Sequence, residues 1–173
     1  MHWHRLGVAK GELELSRTLP IGQSFAWRRC PAEKEGDVPT WRGVVDRRAV
    51  ELKQTDSGDV LYRCGREAPL LGVSLSAAVA SPESSKEDAR AYRSLHEYFR
   101  LDVDFLSLDN DFRSRDERYA RLAPHVLGCR MLQQPPVECL FSFICSSNNN
   151  IARITKVRQV ICTTTTTTSV STV

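Results

Sequence analysis

Alternating polar and apolar residues in the first third of the chain predict β-strands. Glu12–Leu15 and Ser24–Arg28 both alternate as half-buried strands do, with a Pro-Ile-Gly interruption between them. Three more alternating segments follow, separated by turn-like residues that include an Asp-Ser-Gly-Asp stretch. These segments are Trp41–Val45, Ala49–Gln54 and Val60–Cys64. The pattern therefore predicts an antiparallel meander.

From Ser84 the spacing of apolar residues changes to that of a helix. Ser84 and Ser85 can both cap a helix, and the apolar periodicity then runs to about Leu101. The positions expected on its inward face are Tyr92, Leu95 and Phe99. Strands followed by helices predict an α+β fold, in which an N-terminal antiparallel sheet is flanked by helices.

Further helices are predicted after residue 101. Val103–Leu108 and Arg115–Val126 have helical patterns, and Val137–Cys145 is apolar nearly all round, which predicts a buried helix. Asn150 can cap one more helix. Its expected inward residues are Ile151, Ile154 and Ile161. The six threonines Thr163–Thr168 continue neither this helix nor any core, so we interpret the end of the chain as foreign to what precedes it.

Composition is that of a globular protein, and the charge is unevenly distributed. Hydrophobic residues make up 41% of the 173 residues, charged residues 26%, and the net charge is +3. From Arg113 onward eight basic residues face three acidic ones, an excess of 8 − 3 = +5. Such a run suits contact with phosphates, although a solvated helix face is the commoner reason for it. No apolar run is long enough for a membrane span, and six scattered cysteines without a signal peptide indicate reduced thiols in a cytosolic or nuclear protein.

Known catalytic and metal motifs are missing from the sequence. There is no Walker loop, G-x-S-x-G or H-E-x-x-H pattern and no C-x-x-C pair, and His2-x-His4 is a weak metal site. We therefore expect no metal, no cofactor and no catalytic residue that the pattern alone could identify. Two unusual stretches remain as candidates for binding.

The first unusual stretch is Leu19–Trp27, which contains Gly22. A glycine between two strands most often serves a turn that needs a positive φ. The functional alternative is that a residue without a side chain lets the backbone press against a flat ligand.

The second unusual stretch is Glu138–Ile154, where an apolar helix ends in three asparagines and Arg153 follows one turn into the next helix. A capped loop with a solvated arginine would explain this pattern. However, three adjacent asparagines exceed what one cap requires, and amide plus guanidinium groups are well suited to reading base edges.

Together these stretches carry a resemblance. Gly-Gln-Ser-Phe-x-Trp from Gly22 to Trp27, combined with Glu-Cys-Leu-Phe-Ser-Phe-Ile-Cys-Ser-Ser-Asn-Asn-Asn-Ile-Ala-Arg-Ile from Glu138 to Ile154, resembles eukaryotic 8-oxoguanine DNA glycosylases. Tyr98–Val103 and Pro136–Glu138 fit the same family in order. The resemblance covers roughly residues 3 to 160.

The resemblance implies a domain organisation. Residues 1–130 would form the N-terminal α+β domain of the family, residues 131–162 the first helices of its all-helical, helix-hairpin-helix glycosylase domain, and residues 163–173 a threonine-rich tail outside it. The family's downstream helices would bury the faces of the last helices, so we expect exposed apolar surface here.

The resemblance also implies a function and residue roles. The family removes 8-oxoguanine opposite cytosine from double-stranded DNA in base-excision repair, as a glycosylase and abasic-site lyase. The Gly22 carbonyl would accept a hydrogen bond from N7–H of 8-oxoguanine, while Asn148 and Arg153 would contact the estranged cytosine. We expect a nuclear monomer, with a mitochondrial form as the alternative, and no membrane or metal partner.

The chain also departs from the family pattern. The family's attacking lysine, its catalytic aspartate and its Gly-rich hairpin would all lie downstream of the resembling region, and none of the five lysines here sits in such a hairpin. We therefore assign no catalytic residue. The alternatives are a non-enzymatic isoform or gene-model fragment that binds damaged DNA weakly, and a generic α+β interaction module.

Overall fold

The computed structural model describes residues 2–32, 36–67 and 85–157, which form a five-stranded sheet and six helices. The strands are β1 (His4–Arg5), β2 (Arg28–Cys30), β3 (Thr40–Val45), β4 (Arg48–Gln54) and β5 (Val60–Glu67). The helices are α1 (Leu15–Thr18), α2 (Ser85–Tyr98), α3 (Phe105–Arg115), α4 (Glu117–Val126) and α5 (Pro136–Ser146), followed by helical residues 151–157 (α6). The sheet is antiparallel throughout, in the order β1-β5-β4-β3-β2. The predicted α+β class is confirmed.

The predicted meander is confirmed in β3, β4 and β5. β3 and β4 are joined by a two-residue turn in which Asp46 and Arg47 both have positive φ, 47° and 61°. That conformation matches the twist of antiparallel strands, and short polar residues such as aspartate tolerate it better than bulky ones. Val45 and Arg48 pair directly across the turn. The turn thus sets the register that places one set of apolar side chains on the face packed against α2.

Helix α2 covers that face of the sheet. Leu95 and Phe99 are both fully buried, as predicted, and they share one cluster with Leu52 and Tyr62 of the sheet. Tyr92, predicted to face inward, is 38% exposed instead. The buried stripe also includes Ala91 and Tyr98. The buried face of α2 therefore includes Ala91, Leu95 and Tyr98 and leaves Tyr92 at its edge. The predicted cap at Ser84 lies outside the described residues.

The two N-terminal strand predictions are wrong. Leu13 and Leu15 are buried, which accounts for the alternation, but the segment is a turn followed by α1. The side chain of Gln54 accepts a hydrogen bond from Leu15 N at 2.9 Å and donates one to Leu13 O at 2.8 Å, so a distant amide replaces a neighbouring strand. Within Ser24–Arg28, only Arg28 belongs to a strand.

Glu12 and Arg130 anchor the N-terminal segment to the helices. The Glu12 carboxylate accepts hydrogen bonds from the amides of Phe105 (3.1 Å) and Leu106 (3.0 Å) at the start of α3, and it forms an ion pair with Arg130. Arg130 is only 4% exposed and also donates to the Val103 carbonyl at 2.9 Å. Arg130 is one of the eight basic residues counted from Arg113 onward, but it adds nothing to a basic surface because its charge is buried and neutralised.

Helix α5 begins with Pro136, as proline favours the first helical turn, but it is not buried. Val137 and Phe143 are 65% and 74% exposed. Leu140, Phe141 and Ile144 are also more than half exposed. The pattern-based prediction of a buried helix is wrong, and the exposed apolar surface expected from the resemblance is confirmed. No helix within the described ranges has the length and apolarity needed to cross a membrane.

Candidate nucleic-acid interface

The loop that contains Gly22 is held in place by its neighbour Gln23. The Gln23 side chain donates to the Arg130 carbonyl at 2.8 Å and accepts from the amide of Leu132 at 2.9 Å. Its backbone carbonyl accepts a hydrogen bond from the Gln134 side chain. Gly22 itself has φ of 80°, in the left-handed region that favours glycine. The turn alternative for Gly22 is thus satisfied, and the loop is rigidly docked.

Phe25 and Trp27 fix the other end of the same loop. Both are buried, and the Trp27 indole N–H donates to the Tyr98 hydroxyl at 2.9 Å. The Trp27 ring lies on Gly43 of β3, where an added Cβ would come within 2.6 Å of the ring. A buried tryptophan with a satisfied N–H and a glycine opposite is a well-packed anchor. These contacts explain the Gly-Gln-Ser-Phe-x-Trp motif: its long residues position the glycine.

Two of the three adjacent asparagines complete the junction between α5 and α6. The Asn149 side chain donates to the Cys145 carbonyl at 2.9 Å, at the end of α5. The Asn150 side chain accepts from the Arg153 amide at 3.0 Å, which confirms the predicted cap of α6. Asn148 is exposed and has φ of 48°. Within the described ranges its amide has no hydrogen-bond partner. Asn148 is therefore the one asparagine of the three that takes no part in the helix ends.

Arg153 also points away from the core. It is exposed in the first turn of α6, and within the described part of the chain no carboxylate pairs with its guanidinium. Ile154, the next residue, is 4% exposed and faces inward as predicted. Because Ile154 is buried and Arg153 is exposed, the side of α6 that carries Arg153 faces away from the core. Arg153 is therefore available to a ligand. Ile161, the last predicted inward residue, lies outside the described residues.

The loop and the junction meet at Ile151. A Cβ added to Gly22 would lie 3.1 Å from Ile151 Cδ1 and 3.3 Å from Cγ1, so glycine lets α6 approach this closely. The prediction that Ile151 faces the core is wrong: its side chain lies beside Gly22 and the residue is 50% exposed. Two stretches more than a hundred residues apart therefore form one surface. This surface contains Gly22 and the segment from Asn148 to Arg153, and the side chain of Ile151 makes the contact between them.

Comparisons with known proteins identify the family of this chain. Residues 5–140 match the family model described as "8-oxoguanine DNA glycosylase, N-terminal domain". The chain belongs to this family. It is 34% identical over 154 residues to the N-glycosylase/DNA lyase OGG1 of Arabidopsis thaliana and 35% identical over 162 residues to the N-glycosylase/DNA lyase of Saccharomyces cerevisiae. These matches cover 89% and 91% of this chain but only 36% and 38% of the two relatives.

A solved structure has the same fold. It is the 8-oxoguanine glycosylase/lyase of Clostridium acetobutylicum in complex with double-stranded DNA containing cytosine opposite 8-oxoguanine. The likeness has a TM-score of 0.59 at 26% identity and covers 84% of this chain and 40% of that one. The predicted family and fold class are thus confirmed.

Most basic residues of the C-terminal half of this family member are already paired. Arg113 Nε lies 2.6 Å from the buried Asp109 carboxylate, which also accepts from the Tyr119 hydroxyl at 2.8 Å. Arg113 is therefore half-buried, and its charge is paired with a carboxylate. Desolvation, followed by the hydrogen bond to Asp109, raises the pKa of Tyr119. Between residues 113 and 157, the exposed arginine and lysine side chains without an ion pair to a described residue are those of Arg118, Arg153 and Lys156.

The described residues contain no cluster of three or more side chains that could hold a metal ion. Five of the six cysteines are described, and all five are free thiols. A cavity of about 640 Å³ lies between the segment after β1 and helices α2 and α3, and its lining includes none of Gly22, Asn148 and Arg153. Asn148, Ile151 and Arg153 are all exposed, so the candidate interface is an open surface.

Proposed function

We propose that this chain recognises 8-oxoguanine in double-stranded DNA and takes part in its base-excision repair. The observation that supports this most directly is the contact between Gly22 and Ile151. This contact brings the backbone carbonyl of Gly22 onto the same surface as the side chains of Asn148 and Arg153. The surface is open, as it must be to receive a duplex. The chain spans 36–38% of its curated relatives, so the glycosylase and lyase activity is proposed for the family member as a whole.

Gly22 is proposed to read the damaged base through its carbonyl oxygen. Guanine carries an acceptor at N7, whereas 8-oxoguanine carries an N–H there, and a backbone carbonyl can only accept. Placing two acceptors face to face leaves both unpaired, which costs about 1–3 kcal/mol. Nothing in the described ranges donates to the Gly22 carbonyl, so this oxygen is available to a ligand.

Asn148 and Arg153 are proposed to contact the cytosine left unpaired when the damaged base is flipped out. A rigid guanidinium offers several donors to the acceptor edge of cytosine, and the amide of Asn148 can occupy the vacated space. Both side chains are exposed, while the asparagines between them and the helix ends carry the structural hydrogen bonds. This division supports reading by Asn148 and Arg153 over a purely structural junction.

The test uses this chain joined to the C-terminal part of a relative. In that chimera Arg153→Ala and Asn148→Ala should each weaken the preference for cytosine over adenine opposite 8-oxoguanine, by about 1–3 kcal/mol for a good base contact. Arg153→Ala should have the larger effect. Arg118→Ala, which removes an exposed arginine of α4, is the matched control and should leave the ratio of excision rates unchanged. An unchanged ratio in Arg153→Ala would refute the proposed role.

The chain by itself is proposed to supply no nucleophile for strand nicking. A Schiff base needs an amine placed at the sugar. The Lys10 side chain packs on Gly58, and Lys53 Nζ lies 3.8 Å from Asp37. Lys156 is exposed on α6 and is the one to monitor. Borohydride treatment with an abasic duplex should give no covalent adduct, and an adduct mapped to any lysine would contradict the proposal.

The proposed setting is the nucleus, with mitochondria as the alternative, and the proposed state is a monomer. The domain limits proposed from the sequence, 1–130, 131–162 and 163–173, also remain proposals, although the family match reaches residue 140. Imaging of a tagged chain and sedimentation of the purified chain would test these points. The threonine-rich segment lies outside the described residues.

A further inference from the structure

The side chain of Gln134 connects the segment before α5 to the loop that carries Gly22. Its amide group donates a hydrogen bond to the backbone carbonyl of Gln23, 111 residues earlier in the chain. Gln134 is followed directly by Pro135 and then by the first residue of α5. The side-chain oxygen of Gln134 is buried, so this end of the side chain lies inside the protein and not on the candidate interface.

The hydrogen bond from Gln134 completes the hold on Gln23. The Gln23 side chain bonds to the backbone of Arg130 at 2.8 Å and to that of Leu132 at 2.9 Å, and these two bonds fix the side chain. The bond from Gln134 fixes the backbone of the same residue. Among the described residues no other donor reaches the Gln23 carbonyl. Gln134 is therefore the residue that restrains this carbonyl.

The orientation of the Gly22 carbonyl depends on how Gln23 is held. That carbonyl belongs to the planar peptide unit that joins the two residues, so it turns with the backbone on either side. Glycine populates both signs of φ readily and by itself holds this unit loosely. Fixing Gln23 through both its side chain and its backbone carbonyl removes that freedom. Gln134 thus acts on the Gly22 carbonyl through Gln23.

One atom of the Gln134 amide lowers the stability of the fold. The side-chain oxygen is buried and has no hydrogen-bond partner within the described part of the chain. A buried acceptor without a donor is unfavourable and rare in folded proteins. An apolar side chain of similar size, such as methionine, would fill the same space without that acceptor. Groups that lower stability in this way are typical of positions that hold a functional site in shape.

We propose that Gln134 is a positioning residue that directs the Gly22 carbonyl at the damaged base and thereby sets the preference for 8-oxoguanine over guanine. The inference rests on the function proposed for Gly22, whereas the hydrogen bonds that link Gln134 to the loop do not. A hydrogen bond weakens steeply when its angle is poor. A misdirected carbonyl would therefore lose both its bond to N7–H of 8-oxoguanine and its unfavourable contact with N7 of guanine.

The experiment compares two adjacent glutamines in the chimera described above. Gln134→Met removes the donor to the loop, and Gln133→Met is the matched control because Gln133 is exposed. Fluorescence anisotropy measures the affinity for a duplex with 8-oxoguanine opposite cytosine relative to the same duplex with guanine. The ratio of excision rates with cytosine or adenine opposite the lesion is measured as well, since it reports on Asn148 and Arg153. Urea unfolding of the chain without the added part checks that both variants fold.

Gln134→Met should reduce the preference for 8-oxoguanine about ten-fold, which corresponds to the loss of one hydrogen bond to the base. The excision ratio should be unchanged. The urea midpoint should stay close to that of wild type, because the unpaired acceptor is lost together with the hydrogen bond. Gln133→Met should alter none of these quantities. Gln134→Glu keeps the shape of the side chain but has no donor when ionised, so it should lose the same preference.

An unchanged preference in Gln134→Met and Gln134→Glu would overturn the inference. So would an equal loss in Gln133→Met, or a fall of both ratios together with the urea midpoint, since that pattern indicates a purely structural role. Failure of the proposed function looks different. A wild-type chimera that binds the two duplexes equally refutes the reading role of Gly22 and with it this inference, whereas a wild-type preference that survives Gln134→Met refutes the role of Gln134 alone.

Discussion

Replacing Gly22 with alanine tests whether the loop that carries it is as tightly held as its contacts indicate. Gly22 has φ of 80°, and its missing Cβ would come within 3.1 Å of Ile151 Cδ1. Gln23 clamps the next residue through its side chain, and Phe25 is buried beyond it. The loop therefore cannot relax to a negative φ without losing those contacts.

The cost of the substitution has two parts. A left-handed conformation costs a residue with a Cβ about 1–2 kcal/mol, and a smaller part of this is offset because alanine restricts the unfolded chain by about 0.4–1 kcal/mol. Crowding against Ile151 adds less, since that side chain is 50% exposed and can turn toward solvent. We expect Gly22→Ala to lower the free energy of unfolding by about 1 kcal/mol, mostly through the backbone.

Urea unfolding followed by circular dichroism measures this change. With a slope of about 2 kcal/mol per molar urea, the midpoint should fall by about 0.5 M while the slope is unchanged. Ile151→Val removes Cδ1, the closest atom, so Gly22→Ala combined with Ile151→Val separates crowding from backbone strain. Only a small recovery is expected. A Gly22→Ala chain as stable as wild type would show that the loop is mobile, and full recovery in the double variant would show that crowding alone causes the loss.

Three other predictions concern the framework around this site. Glu12→Gln leaves the buried Arg130 without its countercharge and should lower the free energy of unfolding, measured in urea, by about 3–5 kcal/mol. Arg115→Gln, which breaks an exposed ion pair, is the control and should lower it by at most about 0.5 kcal/mol. Similar losses in the two variants would contradict the anchoring role of Glu12. Gly43→Ala puts a Cβ 2.6 Å from the Trp27 ring and should cost about 1–3 kcal/mol and alter the near-ultraviolet dichroism of that ring; an unchanged spectrum would count against the close packing. Burial raises the pKa of Cys64 from 9.0 to about 12, so alkylation at pH 8, mapped by mass spectrometry, should modify the exposed Cys139 well before Cys64. Because the unfolded chain loses the Cys64 proton at lower pH than the folded chain, this thiol should also reduce stability as pH rises from 9 toward 12, and early labelling of Cys64 would refute its burial.

The sequence predicted the meander well because its signals are local. Alternating residues and a polar two-residue turn determine β3 and β4 without reference to the rest of the chain. Glu12–Leu15 shows the same alternation, yet its backbone finds its partners in the side chain of Gln54, about forty residues away. A period of two reports which side chains are buried, and not what the backbone pairs with. Only the tertiary contact distinguishes a strand from an extended turn.

The exposure of helices and charges depends on partners that spacing does not reveal. Arg130 is counted with the basic residues, but its carboxylate partner Glu12 lies 118 residues earlier in the chain. Helix α5 has the composition of a buried helix, yet within the described residues no other element covers its outer side, and Phe143 remains 74% exposed. In each case the local pattern identifies the type of side chain, and its surroundings are set by distant segments.

The candidate site shows a consistent division of labour between adjacent residues. Gln23 makes the hydrogen bonds that dock the loop, and Gly22 beside it keeps a carbonyl without a donor in the described ranges. Asn149 and Asn150 complete the ends of α5 and α6, and Asn148 keeps its amide exposed. A group that reads a base must be held within a fraction of an ångström and yet be unpaired before the base arrives. The proposed readers Gly22 and Asn148 are accordingly the residues that lack these hydrogen bonds, and their neighbours in the chain make the bonds that hold them in place.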